Sequence, residues 1–93
     1  MSKPRERWWP YVRAVIRDYP RTDRKKLSAR ERRAVDRALE AMDEEKQKFV
    51  RAYYWHGNRI DAAGYMVHIG EATACRWNGE IVRAVARELG LTR

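Results

Sequence analysis

The stretch HIGEATACRW, residues 68–77, constrains this chain more than any other. Across and beyond it, apolar residues recur at Ala74, Trp77, Ile81 and Val85, a helical spacing that leaves Glu71, Ala72, Thr73 and Arg76 near an exposed helix start. Immediately before it, residues 59–67 read as a shorter helix whose Ala62, Ala63 and Tyr65 are small or apolar enough for a close crossing. Ile69 and Gly70 form the hinge. Two helices joined by roughly 3–4 residues are what a helix-turn-helix needs, and its second helix is the one that can enter a major groove.

At 93 residues the chain supports one domain. A chain of this size buries only roughly 60–65% of the surface exposed when unfolded, so the core is thin. Trp8, Trp9, Trp55, Trp77 and the tyrosines at 11, 19, 53, 54 and 65 are expected to carry much of the burial, at about 150–250 Å² each. Trp8 and Trp9, between basic residues, read first as packing on the body. Cys75 is alone, which excludes an intrachain disulfide and favours a reducing compartment; it reads as a small neutral residue. No run approaches the ~18 apolar residues of a membrane span, and the first residues lack a signal-like apolar segment. The expectation is a soluble cytoplasmic protein with no membrane partner.

The net charge of +8 favours polyanionic partners, and its distribution sharpens the point. Residues 1–37 hold 13 Lys plus Arg against 5 Asp plus Glu, while residues 38–93 hold 8 against 8. All of the excess lies in the first part. If DNA is bound, much of the phosphate attraction is expected from there.

Along the chain, residues 1–7 form a basic arm. Pro10 suits a first helical turn, and Tyr11, Val12, Val15, Ile16 and Tyr19 follow at helical spacing up to Pro20. Residues 21–27 read as a basic linker. Ser28 and Glu31 make an S-x-x-E capping box, after which Val35, Ala38, Leu39 and Met42 form a buried stripe. The opposite face carries Arg30, Arg33 and Arg37, either a solvated face or a row that follows a phosphate backbone. Asp43, Glu44 and Glu45 complement the dipole of a third helix bearing Phe49, Val50, Tyr53 and Tyr54, with Gly57 as its stop. Asn58 is expected to cap the next helix, and Gly90 to end the last. No segment alternates with period two. The fold is therefore expected to be all-α, about five helices, with a basic N-terminal helical region at 1–42 and a helix-turn-helix region at 43–93 inside one domain.

Enzyme signatures are missing from this pattern. His56 and His68 with one cysteine make no recognisable zinc spacing, and nothing resembles a phosphate-binding loop, a dinucleotide fingerprint or a nucleophile elbow. No catalytic residue, metal or cofactor is implied.

The runs KFVRAYYW, VHIGEATACRW and VRAVARELG resemble the bacteriophage RinA/ArpU-type late-gene transcriptional regulators over residues 46–91. That family has an aromatic helix before a helix-turn-helix like region 4 of a bacterial sigma factor (sigma-70). Ile69, Thr73, Ala74 and Arg76 match its turn and helix start, and Tyr19-Pro20 is also similar. Two departures stand out: Gly70 replaces a serine cap, and Asn78, Gly79 and Glu80 replace basic residues. The resemblance implies control of phage or prophage genes through promoter DNA, with contact to RNA polymerase, in the cytoplasm of a bacterial host cell at the nucleoid. The same run, with AAGY and ATA, is also similar to the DNA-binding domain of phage terminase small subunits, which mark viral DNA for packaging. Those proteins usually carry a further oligomerisation region, which this sequence does not display, and that favours the regulator.

On this reading Glu71, Ala72, Thr73 and Arg76 approach base edges. Arg76 is suited to a bidentate contact with guanine worth about 1–3 kcal/mol of discrimination. Asn58, Arg59, the Arg24-Lys25-Lys26 run and the Arg30, Arg33, Arg37 row meet phosphate. The partner is double-stranded DNA, a homodimer would suit paired half-sites, and a protein-interaction module that binds RNA polymerase is the rival of a different class.

Overall fold

A computed structural model describes residues 6–20 and 27–92. Most of the expected arm and linker, including Arg24, Lys25 and Lys26, lies outside the described residues. Within them the chain is all-α: α1 Trp9–Asp18, α2 Ala29–Glu40, α3 Glu44–Val50, α4 Ile60–Met66 and α5 Glu71–Glu88. α5 is the spine, in contact with α1, α2 and α4. Its Ile81, Val82, Val85 and Ala86 are buried, and each of the larger three contributes roughly 1.5–3 kcal/mol by leaving water.

Local signals in the sequence place most helix ends. The Ser28 hydroxyl accepts from the Glu31 amide at 3.1 Å while the Glu31 carboxylate accepts from the Ser28 amide at 2.9 Å, so both halves of the capping box form. Asp43 caps α3 by accepting from the Lys46 amide at 2.9 Å. Gly57 and Gly90 have φ of +76° and +80°, the left-handed conformation that closes a helix and that glycine adopts without a Cβ penalty.

Several details differ from the sequence reading. Ala62 and Tyr65, expected at the close crossing, are exposed, because Ala63 and Gly64 are the residues of α4 that face inward. The helix begun by α3 continues past Val50 as a π-helical segment, Arg51–Trp55, closed by the His56 amide donating to the Arg51 carbonyl at 2.8 Å. An α period from Phe49 turns Tyr53 inward. The widened turn instead buries Ala52 and Tyr54, leaves Tyr53 half-buried against Phe49, and aims the Trp55 indole at the Ile16 carbonyl, 2.8 Å away. In α2 the buried stripe is Ala34, Val35 and Ala38, with Leu39 and Met42 only half-buried, because the small Ala34 and Ala38 face α5. Finally, Asn58 does not cap α4. Arg59 occupies that position, and the Asn58 amide donates to the Ala52 carbonyl at 2.9 Å, finishing the helix before it.

Side chains from other helices reach carbonyls at the ends of α1, α2 and α5, where backbone acceptors lack intrahelical donors. Trp55 serves α1, Gln47 serves α2 through Leu39 and Met42, and Arg30 reaches the Leu89 carbonyl of α5 at 2.6 Å. Arg30 also places a cation at the negative end of the α5 dipole. α2 runs antiparallel to α5, with Arg30 beside Leu89 and Ala38 beside Ile81.

Candidate nucleic-acid interface

The corner between α4 and α5 is built from small residues. A Cβ on Gly64 would stand 3.0 Å from the Ala74 Cβ and 3.3 Å from the Ile69 carbonyl oxygen, so only glycine permits this approach without movement. Ala63 and Val67 are buried beneath it, and the Ile69 amide donates to the Gly64 carbonyl at 3.0 Å. His68 sits in the turn at φ +64°, a left-handed conformation uncommon outside glycine, though histidine, like asparagine and aspartate, adopts it more readily than other residues. Gly70 starts α5 without a side-chain cap.

From that start Glu71, Ala72, Cys75 and Arg76 are exposed and Thr73 is half-exposed, while Ala74 is buried at the crossing and Trp77 packs edge-on against Phe49 at 6.0 Å. The four residues expected at base edges therefore occupy the first two turns of one helix end. Arg59 is exposed at the beginning of α4, its Nε 3.4 Å from the Asp61 carboxylate. Asn58 is half-buried and its amide is engaged with its own chain.

Arg30, Arg33 and Arg37 are not brought to this end. With Ala34 and Glu88 they line a groove of about 310 Å³ along the far end of α5. Glu88 lies twelve residues beyond Arg76, about 18 Å along the axis at 1.5 Å per residue. What the structure does bring to the corner are cations that sequence reasoning missed. Lys46 pairs with Glu80 at 2.7 Å and stands 5.7 Å over the Trp77 ring, and Glu80 lies 3.9 Å from the Arg76 Nε. Lys48, Arg51 and His56 surround a shallow hollow of about 230 Å³ floored by Ala52, Met66 and Val67. The available signal was the i, i+3 spacing of Lys48 and Arg51, on the face of α3 away from Phe49 and Val50.

Asn78 and Gly79 face inward, so they are not part of the outer face of α5. The Asn78 side chain accepts a hydrogen bond from the buried Tyr54 hydroxyl, and Gly79 leaves room for Trp9 and Arg83. Arg83 covers Trp9 at 5.4 Å, and Trp8 stacks on Trp9 at 5.9 Å, so both N-terminal tryptophans pack on the body. Arg13 donates to the Tyr53 hydroxyl at 3.0 Å and lies over the Tyr53 and Tyr54 rings. Burial pushes the Tyr54 hydroxyl up, against the opposing pull of Arg13. Tyr19 is raised by its hydrogen bond to Asp36, and Tyr11 by its bond to Glu31. That Tyr11 bond, followed by the Ser28 backbone, holds the Glu31 carboxyl below its usual value. These groups tie helices together at a distance from the α5 start.

No family model, curated protein or solved structure matches this chain.

Proposed function

We propose that the chain is a DNA-binding transcriptional regulator of phage or prophage genes, with α4 and α5 acting as a helix-turn-helix that reads promoter DNA. One observation carries the reading. The Gly64–Ala74 crossing docks an 18-residue helix while leaving Glu71, Ala72 and Arg76 exposed at its start. Arg76 supplies a two-pronged donor for guanine, Glu71 an acceptor for a cytosine amino group, and Ala72 a methyl for thymine. Arg59, Lys48 and Arg51 supply phosphate contacts around the corner. A major groove is about 12 Å wide, so the α2 arginines, some 18 Å further along α5, serve a separate stretch of backbone. The assignment to phage genes rests on the resemblance of residues 46–91.

Selection from a random duplex pool at about 150 mM salt, where the Debye length is near 8 Å, tests the proposal. A defined motif is expected, with one guanine preference lost in Arg76→Ala. With about six phosphate contacts, affinity falls about a thousandfold between 50 and 200 mM salt, and a flat salt response would sink the idea. DNA binding without any motif points instead to a packaging role. Tyr65 at 80% exposure and Met66 at 58% favour a second reading, in which this face of α4 meets RNA polymerase or another protein. That reading predicts a tight protein partner and no enriched motif.

A further inference from the structure

The carboxylate of Glu80 stands between two cations on the outer side of α5. One oxygen meets the Lys46 ammonium at 2.7 Å, and the other lies 3.9 Å from the Nε of Arg76, one helical turn earlier. Lys46 is itself held, half-buried over the Trp77 ring. Glu80 is therefore anchored on one side by a cation with little freedom, while the Arg76 side chain on its other side is 64% exposed.

We infer that Glu80 is a specificity-determining positioning residue: it holds the Nε edge of Arg76, so that the two terminal nitrogens point outward as the fork that reads guanine, and it keeps Arg76 and Lys46 from binding phosphate indiscriminately. This rests on the DNA-binding reading above. The chemistry follows from the donor layout of a guanidinium, which has one Nε–H edge and a terminal pair of nitrogens matched to guanine O6 and N7. A carboxylate on the Nε edge leaves that pair free and limits the rotamers that a long exposed side chain otherwise samples. Its negative charge also sets a cost on closing against any phosphate, whatever the sequence, and only a correctly placed guanine offsets that cost.

The test compares the full chain with Glu80→Gln on its selected duplex and on a random-sequence duplex of equal length. The amide keeps the shape and removes the charge. Glu80→Gln is expected to bind random DNA more tightly, with a log–log salt slope steeper by about 0.9 for each cation released. At the Arg76-dependent position the guanine preference is expected to fall at least about fivefold. Lys46→Gln supplies the opposite perturbation. Glu80 then loses its anchor, so the guanine preference is expected to fall here too, while affinity for random DNA falls rather than rises because a cation is lost and none is released. A Glu80→Gln protein with unchanged base preference and unchanged salt slope overturns the inference while the DNA reading stands. If the unaltered chain binds no duplex at all, the DNA reading fails first and the inference with it. Thermal unfolding of each variant separates these outcomes from loss of fold.

Discussion

The two ends of α5 belong to one helix and have opposite surroundings. At its C-terminal end Val82, Val85, Ala86 and Leu89 are buried, Arg30 donates to the Leu89 carbonyl, and Gly90 closes the turn. At its N-terminal end the first two turns touch the rest of the protein through Ala74 and Trp77, leaving a glycine cap and a set of exposed side chains at Glu71, Ala72, Cys75 and Arg76. On the proposed function, the contrast separates stability from binding along a single rod. The closed end resists unfolding, and the open end can gain a ligand without losing core.

The largest expected effect breaks the closed end. Leu89→Ala removes a side chain that is 4% exposed and should cost about 2–5 kcal/mol in urea unfolding, with the folded fraction retaining its DNA affinity. A smaller effect, with the opposite functional signature, is expected at the corner. Gly64→Val forces a Cβ and two methyls onto Ala74 and the Ile69 carbonyl and should cost about 1–3 kcal/mol by overpacking. It should also displace the start of α5 and weaken DNA binding beyond the loss of folded protein. If both variants lose binding only in proportion to stability, the division between the two ends is wrong.

The smallest effect is one of pH and sharpens the closed side, where α2 begins beside the end of α5. Glu31 has a folded pKa below its usual 4.5 because Tyr11 and the Ser28 backbone donate to it. The stability it contributes is present above the unfolded pKa and is lost as pH falls through the folded value. Melting temperature should therefore decline between about pH 5 and 3 by less in Glu31→Gln than in the unaltered chain. An identical decline in both would mean that the capping box holds without its charge.

Much of this fold was legible because helix boundaries are local. A serine three residues before a glutamate, or a glycine after an apolar stripe, satisfies or releases backbone groups within one turn, so Ser28, Asp43, Gly57 and Gly90 could be read directly. The exposed start of α5 followed from the same periodicity. Misreadings fell where the outcome is decided beyond a single helical turn. Asn58 looks like a cap from its neighbours, yet its amide is used by the Ala52 carbonyl of the π-helical turn, whose extra width lets Tyr54 meet Asn78 and Trp55 meet Ile16.

By itself, then, the sequence determined that the chain is helical, where most helices stop, and which residues begin α5, because these rest on hydrogen bonds and side-chain spacing within a few residues. The tertiary structure alone decided that the α2 arginines lie along the far end of α5, that Arg30 closes a helix 59 residues away, and that Lys46, 34 residues before Glu80, pairs with it beside Arg76. Those pairings depend on how α2 and α3 cross α5. The crossings are set by the small side chains and close contacts of a packed interior, which no local pattern specifies.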